Sequence, residues 1–362
     1  MKKLIIGILF WLISFAVSYS QGVSKGVRID LTSKLDLASG QFAQLFIPDY
    51  FSAGDSGKYL LVFHLHSASW AAEDEVYKSR TNAILFNIYL GGFSSSYQNY
   101  FVDQNKFYII LDLVRTELNE NNIIENPIVK NLIITSFSAG YGGVREILKN
   151  ETYYLKIDAI TLADGLHSNL EESLMREQMK DFLRFAKDAS NSKKIMLLTH
   201  SNILTYTYAN TTETSDYLIN NIGTTRNSVN ISDAIGMQYS IADTGKFHVK
   251  GYRGDTAEDH MKHLYNMDLM LKDAVDNMST ITHVKKKALT NNGSVFSIYP
   301  NPFNSSTKIN FYLSQSGNVK FSVFNILGEL VYSESKLFEN SGMNNFYFNA
   351  NSLSGGVYFI NV

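Results

Sequence analysis

The sequence predicts an α/β protein with a mostly parallel sheet, helices on both of its faces, and a small C-terminal β-sandwich. Three observations carry that prediction. Short apolar runs at 58–66, 132–135, 157–163 and 194–200 alternate with stretches that are apolar at helical spacing, as expected of strands joined by crossover helices. These runs stop abruptly at polar or small residues, and parallel sheets place ligand-binding groups at such carboxyl ends. Past residue 285 the composition shifts to short β segments separated by Asn, Gly and Ser turns.

Composition narrows the function classes. A chain of 362 residues fits one large domain with an appendage, and 45% hydrophobic residues are ample for its core. A net charge of −2 and the lack of a basic cluster give no support to nucleic-acid binding. There is no cysteine, so neither a thiol nucleophile nor a thiolate metal site is available, and a core of this size needs no disulfide. Lys2 and Lys3, the apolar run 4–17 and the small residues around Ser18 and Ser20 read as a signal peptide over 1–20, cleaved before Gln21. The run is short for a membrane span, and no other segment approaches that length, so no span is expected after removal.

In chain order, 40–48 reads as a strand closed by Pro48, 54–57 as a turn, and 58–66 as a more strongly apolar strand. Residues 81–89 are mixed apolar, 91–100 read as a Gly/Ser loop, 106–113 as a buried strand, and 119–126 as a polar surface loop. Strand 132–135 leads through Ser136-Phe137-Ser138-Ala139-Gly140 into a helix at 144–148. Strand 157–163 precedes a helix over 170–189, and strand 194–200 precedes 201–225, which is long enough for a lid or a substrate-facing loop. The last strand of the sheet is expected at 246–252 and a final helix at 264–277. The expected organisation is a catalytic domain at 21–284, a linker at 285–293 and a C-terminal domain at 294–362.

The chemistry-bearing residues fall at strand ends. Ser138 occupies the apex of a strand-turn-helix of the G-x-S-x-G type, with Ser136 replacing the first glycine; small neighbours let the strand and helix backbones approach. Asp164 ends the next strand, where a carboxylate can hold a histidine tautomer and stabilise its imidazolium. Glu213 and Asp216, in the 201–225 stretch, are alternative acids. His260 follows the last strand and is the expected general base, preferred to His263 because a loop histidine can reach over the sheet. Ala139, with Ser67 or Ala68 from the turn after His66, would supply the oxyanion N–H groups. His64-x-His66 also fits the opening of a zinc site, with His167, His200, Asp164, His260 and His263 as further ligands. Tyr206, Tyr208 and Tyr217 are candidate pocket residues, although the 22 tyrosines of the chain favour packing.

With Ser138, Asp164 and His260 in that chain order, the sequence resembles the alpha/beta-hydrolases over residues 22–280. The resemblance implies an exported serine hydrolase of the carboxylesterase type, working through an acyl-enzyme on a small-molecule or carbohydrate ester, without metal or organic cofactor. A catalytically inactive surface-binding module and a metal-dependent hydrolase using His64 and His66 are the alternatives. Tyr299-Pro300-Asn301-Pro302-Phe303-Asn304, then Val323-Phe324-Asn325-Ile326-Leu327-Gly328-Glu329, then Leu353-Ser354-Gly355-Gly356-Val357-Tyr358-Phe359 resemble the type A C-terminal sorting domain of the type IX secretion system. That resemblance implies a partnership with the secretion machinery and placement outside the outer membrane, secreted or on the surface of a Bacteroidetes-type bacterium. Members usually run on to a last strand with a terminal lysine, whereas this chain stops at Val362, as a truncated tail would.

Overall fold

The computed structural model describes residues 24–278, 293–313, 315–325 and 329–362. The expected signal peptide and nearly all of the expected linker lie outside these residues. Ten strands form one sheet: β1 (Gly26–Asp30), β2 (Phe42–Pro48), β3 (Lys58–Leu65), β4 (Ala83–Tyr89), β5 (Ile128–Phe137), β6 (Ala159–Ala163), β7 (Ile195–His200), β8 (Asn227–Ser232), β9 (Met237–Thr244) and β10 (Phe247–Tyr252). Their spatial order is β1-β2-β4-β3-β5-β6-β7-β10-β9-β8. From β4 through β10 all neighbours are parallel, while β1 and β2 at one edge and β9 and β8 at the other run antiparallel.

Nine helices lie among the described residues of this part: α1 (Ser69–Ser79), α2 (Ser94–Phe101), α3 (Asn105–Glu120), α4 (Tyr141–Leu148), α5 (Glu151–Lys156), α6 (Glu172–Ser190), α7 (Thr211–Ile222), α8 (Ala257–Tyr265) and α9 (Met267–Met278). Alternate residues of each central strand serve opposite cores. Phe63, Ile134, Ile160 and Leu198 pack with α2 to α7, and Val62, Ile133, Ala159 and Leu197 pack with α1, α8 and α9. Burial on both faces is why these strands read as continuous apolar runs. The fold is therefore α/β, with helices on both faces.

Three local expectations are corrected. Residues 106–113, expected as a strand, lie in α3. Burial of Phe107, Ile110, Val114 and Leu118 follows the helical period, and Ile109, which a strand would bury with Phe107, is 44% exposed. Residues 91–100, expected as a loop, contain α2, which buries Tyr97 and Phe101 one turn apart. The 201–225 stretch carries α7, whose Asn210 and Glu213 form a reciprocal capping box. β10 is the last strand of this sheet in sequence, as expected, and β8 and β9 extend the sheet beyond it.

The C-terminal residues form two three-stranded sheets, β11 (Gly293–Tyr299), β12 (Ser306–Leu313) and β15 (Gly342–Asn349) in one, β14 (Leu330–Phe338), β13 (Gly317–Asn325) and β16 (Tyr358–Asn361) in the other. Phe311, Phe346 and Phe348 of the first sheet meet Phe321 and Phe338 of the second in a single core, with the Phe321 and Phe346 rings stacked at 3.9 Å. A period-2 pattern of buried aromatics on facing sheets is a β-sandwich.

Candidate active site

β3, β5 and β6 are adjacent, and each is followed at its carboxyl end by a non-glycine residue in the left-handed region: His66 (φ 76°), Ser138 (φ 44°) and Asp164 (φ 41°). Such conformations cost about 1–3 kcal/mol apiece and persist only where surrounding packing fixes them. The packing here is made by small residues. A Cβ on Gly165 would lie 2.7 Å from Ser138 Cα, and one on Gly140 would lie 2.5 Å from the Leu65 carbonyl oxygen. The Asp164-Gly165 turn thus presses on the Ser138 backbone, and the turn after Ser138 presses on the end of β3. Ser136 is fully buried below, whereas Ser138 and Ala139 are half-buried at the surface of the sheet end.

Asp164 is 2% exposed, yet its carboxylate is fully engaged. Oδ2 accepts from His260 Nδ1 at 2.8 Å, and Oδ1 accepts from the Ser201 N–H and the Thr211 hydroxyl, both at 2.9 Å. Burial alone would raise its pKa. The His260 hydrogen bond, the His263 and His260 charges and the Ser201 N–H outweigh burial and hold the carboxyl below the usual range. Nδ1 of His260 is thereby the donor, so the neutral ring carries its lone pair on Nε2. The same ring packs on Phe137, the residue before Ser138, with centroids 4.5 Å apart. His260 was expected on a loop, but it stands in the first turn of α8, begun by the Thr256–Asp259 capping box.

The turn after β3 lies beside the turn after β5, since Leu65 and Ser136 are in register. Ser67 is buried and donates its hydroxyl to the Ala68 carbonyl; Ala68 is the N-cap of α1, and Ala139 lies in the short turn that leads into α4. Tyr97, not anticipated from the sequence, orients this corner. Its oxygen accepts the Leu90 N–H, and its hydroxyl meets His66 Nδ1 at 3.0 Å. Burial, aided by repulsion from His64 and His260, pushes His66 down to about 4, so it is neutral at ordinary pH.

Other candidates have different partners. His263 is 1% exposed, and its Nδ1 meets the Thr199 hydroxyl at 2.9 Å. His200 accepts from Arg226 at Nε2, and Asp216 is paired with the same arginine, while Glu213 caps α7. His64 lies beneath the site in a buried polar row that runs in register from Asn87 through His64 and Thr135 to Thr161. Its Nδ1 meets Thr135 Oγ1 at 2.8 Å and Glu75 Oε2 at 3.0 Å. His64 and His66 therefore turn to separate partners, and among the described residues no three His, Cys, Asp or Glu side chains gather as metal ligands. Ser201, Thr211 and Gly165 could not have been singled out from sequence, because only their placement against Asp164 and Ser138 distinguishes them.

Comparison with known proteins bears on the two parts unequally. Residues 297–362 match the family described as the secretion system C-terminal sorting domain. The protein is accordingly one secreted or displayed at the cell surface through type IX secretion. No curated protein matches the chain. A solved structure described as a ferulic acid esterase is similar at a TM-score of 0.39 and 13% identity, covering 70% of this chain and 98% of its own. An uncharacterised protein from Capnocytophaga ochracea is similar at a TM-score of 0.38 and 10% identity, covering 69% of this chain and 64% of its own.

Proposed function

We propose that the α/β part, residues 21–284, is an exported serine hydrolase of the esterase type. The observation that carries this reading is the hydrogen bond of 2.8 Å between Asp164 and His260, made where Gly165 presses on the backbone of the left-handed Ser138. Ser138 Oγ attacks an acyl carbon while His260 Nε2 takes its proton. Asp164, already ionised and satisfied by three donors, holds the ring by Nδ1 and stabilises the imidazolium. The N–H of Ala139 and that of Ser67 or Ala68 receive the negative oxygen of the tetrahedral intermediate. Collapse expels the alcohol, protonated by His260, and leaves an acyl group on Ser138. Water, deprotonated by His260, repeats the attack and frees the acid. The chemistry requires no metal at any step, and the C-terminal sandwich acts only in export, through the secretion machinery.

Labelling with a fluorophosphonate probe tests the assignment. The wild type labels at Ser138, Ser138→Ala abolishes the label, and ester hydrolysis falls with it. A correctly folded wild type that never labels would overturn this reading and favour a binding module on the same scaffold.

A further inference from the structure

Beside the proposed site stands a second group of side chains that the proposed mechanism does not use. His167 lies on the loop after β6, three residues past Asp164, and Tyr141 opens α4, three residues past Ser138. Their rings meet edge to face with centroids 5.5 Å apart, and the Tyr208 ring meets that of His167 edge to face at 5.0 Å. The group is built rather than accidental. Arg145, 5% exposed, donates to the His167 carbonyl and to that of Gln178, and its guanidinium lies 5.0 Å from the centre of the Tyr141 ring. A single β-bridge, Ser168 with Ala209, ties the loop after β6 to the one after β7.

The hydrogen-bonding sense of His167 follows from its partner. Nδ1 lies 3.1 Å from the Ala209 carbonyl oxygen, which can only accept, so Nδ1 donates. Burial holds His167 below its ordinary pKa, and its neutral ring then presents Nε2 as an acceptor. Tyr208, which meets the His167 ring, is 44% exposed.

We propose that Tyr141, His167 and Tyr208 form a specificity subsite for an ester whose ring bears a hydroxyl group: the ring packs on tyrosine and the hydroxyl donates to His167 Nε2. This inference rests on the esterase reading above. An acceptor flanked by aromatic rings selects a donor on a flat or puckered ring and gains nothing from a plain alkyl chain. The hydroxyl can come from the acyl side, as a phenol, or from the alcohol side, as a sugar.

Two matched ester pairs separate these sources: methyl 4-hydroxybenzoate against methyl benzoate, and 6-O-acetylglucose against cyclohexylmethyl acetate. The wild type should prefer the hydroxylated member of one pair by about tenfold or more, the scale of one buried hydrogen bond. His167→Phe keeps a ring between the two tyrosines and removes the acceptor, so it should erase that preference through KM while the other member changes by less than about threefold. His167→Gln, which retains an acceptor oxygen, should recover part of it. Equal losses on both members of a pair, or no preference in either pair, overturn the subsite. Fluorophosphonate labelling of each variant reports separately on Ser138. A labelled wild type without preference rejects the subsite alone. An unlabelled wild type that still binds methyl 4-hydroxybenzoate or 6-O-acetylglucose by NMR, and loses that binding in His167→Phe, rejects only the hydrolase reading.

Discussion

Two histidine–carboxylate pairs lie within one layer of each other in this protein, and they are nearly alike in local geometry. His64 Nδ1 stands 3.0 Å from Glu75, and His260 Nδ1 stands 2.8 Å from Asp164. Both carboxylates are buried. The far edge of the imidazole separates the pairs: the His64 side chain is 0% exposed, while that of His260 is 25% exposed. Nε2 of His64 is buried in the sheet without a hydrogen-bond partner, and Oε1 of Glu75, on α1, is likewise buried without one. A general base must be reached by the proton it takes, and of these two imidazoles only that of His260 is open to solvent. Pairing a histidine with an acid is thus insufficient; depth within the sheet decides what the pair can do.

The comparison can be broken by substitution. His260→Ala should reduce kcat/KM on an ester by about 10⁴–10⁶-fold per folded molecule; retention of activity would make the two pairs equivalent. Asp164→Asn should cost about 10⁴-fold, because an amide does not hold the tautomer that leaves Nε2 free. The same variant has a signature in acid. The Asp164 carboxyl is depressed in the folded state, so its stabilising contribution is complete above the unfolded value near about 3.9 and is lost only as pH falls through the lower folded value. Acid unfolding of Asp164→Asn should therefore lack part of the pH dependence seen in the wild type below that range. His64→Leu should act in the opposite sense. It leaves the buried Glu75 with only the Thr135 hydroxyl as partner and costs about 3 kcal/mol of stability by denaturant titration. Labelling per folded molecule should stay within about threefold of the wild type.

The sequence carried the sheet better than it carried the site. β3, β5, β6 and β7 are buried on both faces and leave uninterrupted apolar runs, which cannot be mistaken for surface. In α3 the residues Phe107 to Val114 are apolar almost throughout, so no period emerges until burial shows which side faces inward. The signal for α7 was present in Asn210-x-x-Glu213 but was hidden within a polar stretch resembling a loop. Ser138, Asp164 and His260 were conspicuous as types at strand ends, whereas the hydrogen bonds of Ser201 and Thr211 to Asp164 are contacts across distant segments. Local sequence has no means of expressing such contacts. The motif around Ser138 also concealed its backbone state, since a left-handed serine reads the same as any other.

That backbone state has a consequence for how these three positions tolerate replacement. At His66, Ser138 and Asp164 a glycine would occupy the left-handed region with a relief of about 1–2 kcal/mol at each position. At Asp164 that relief would be set against the loss of a carboxylate that three donors satisfy, so the strain there is held in place by hydrogen bonds that a glycine cannot make.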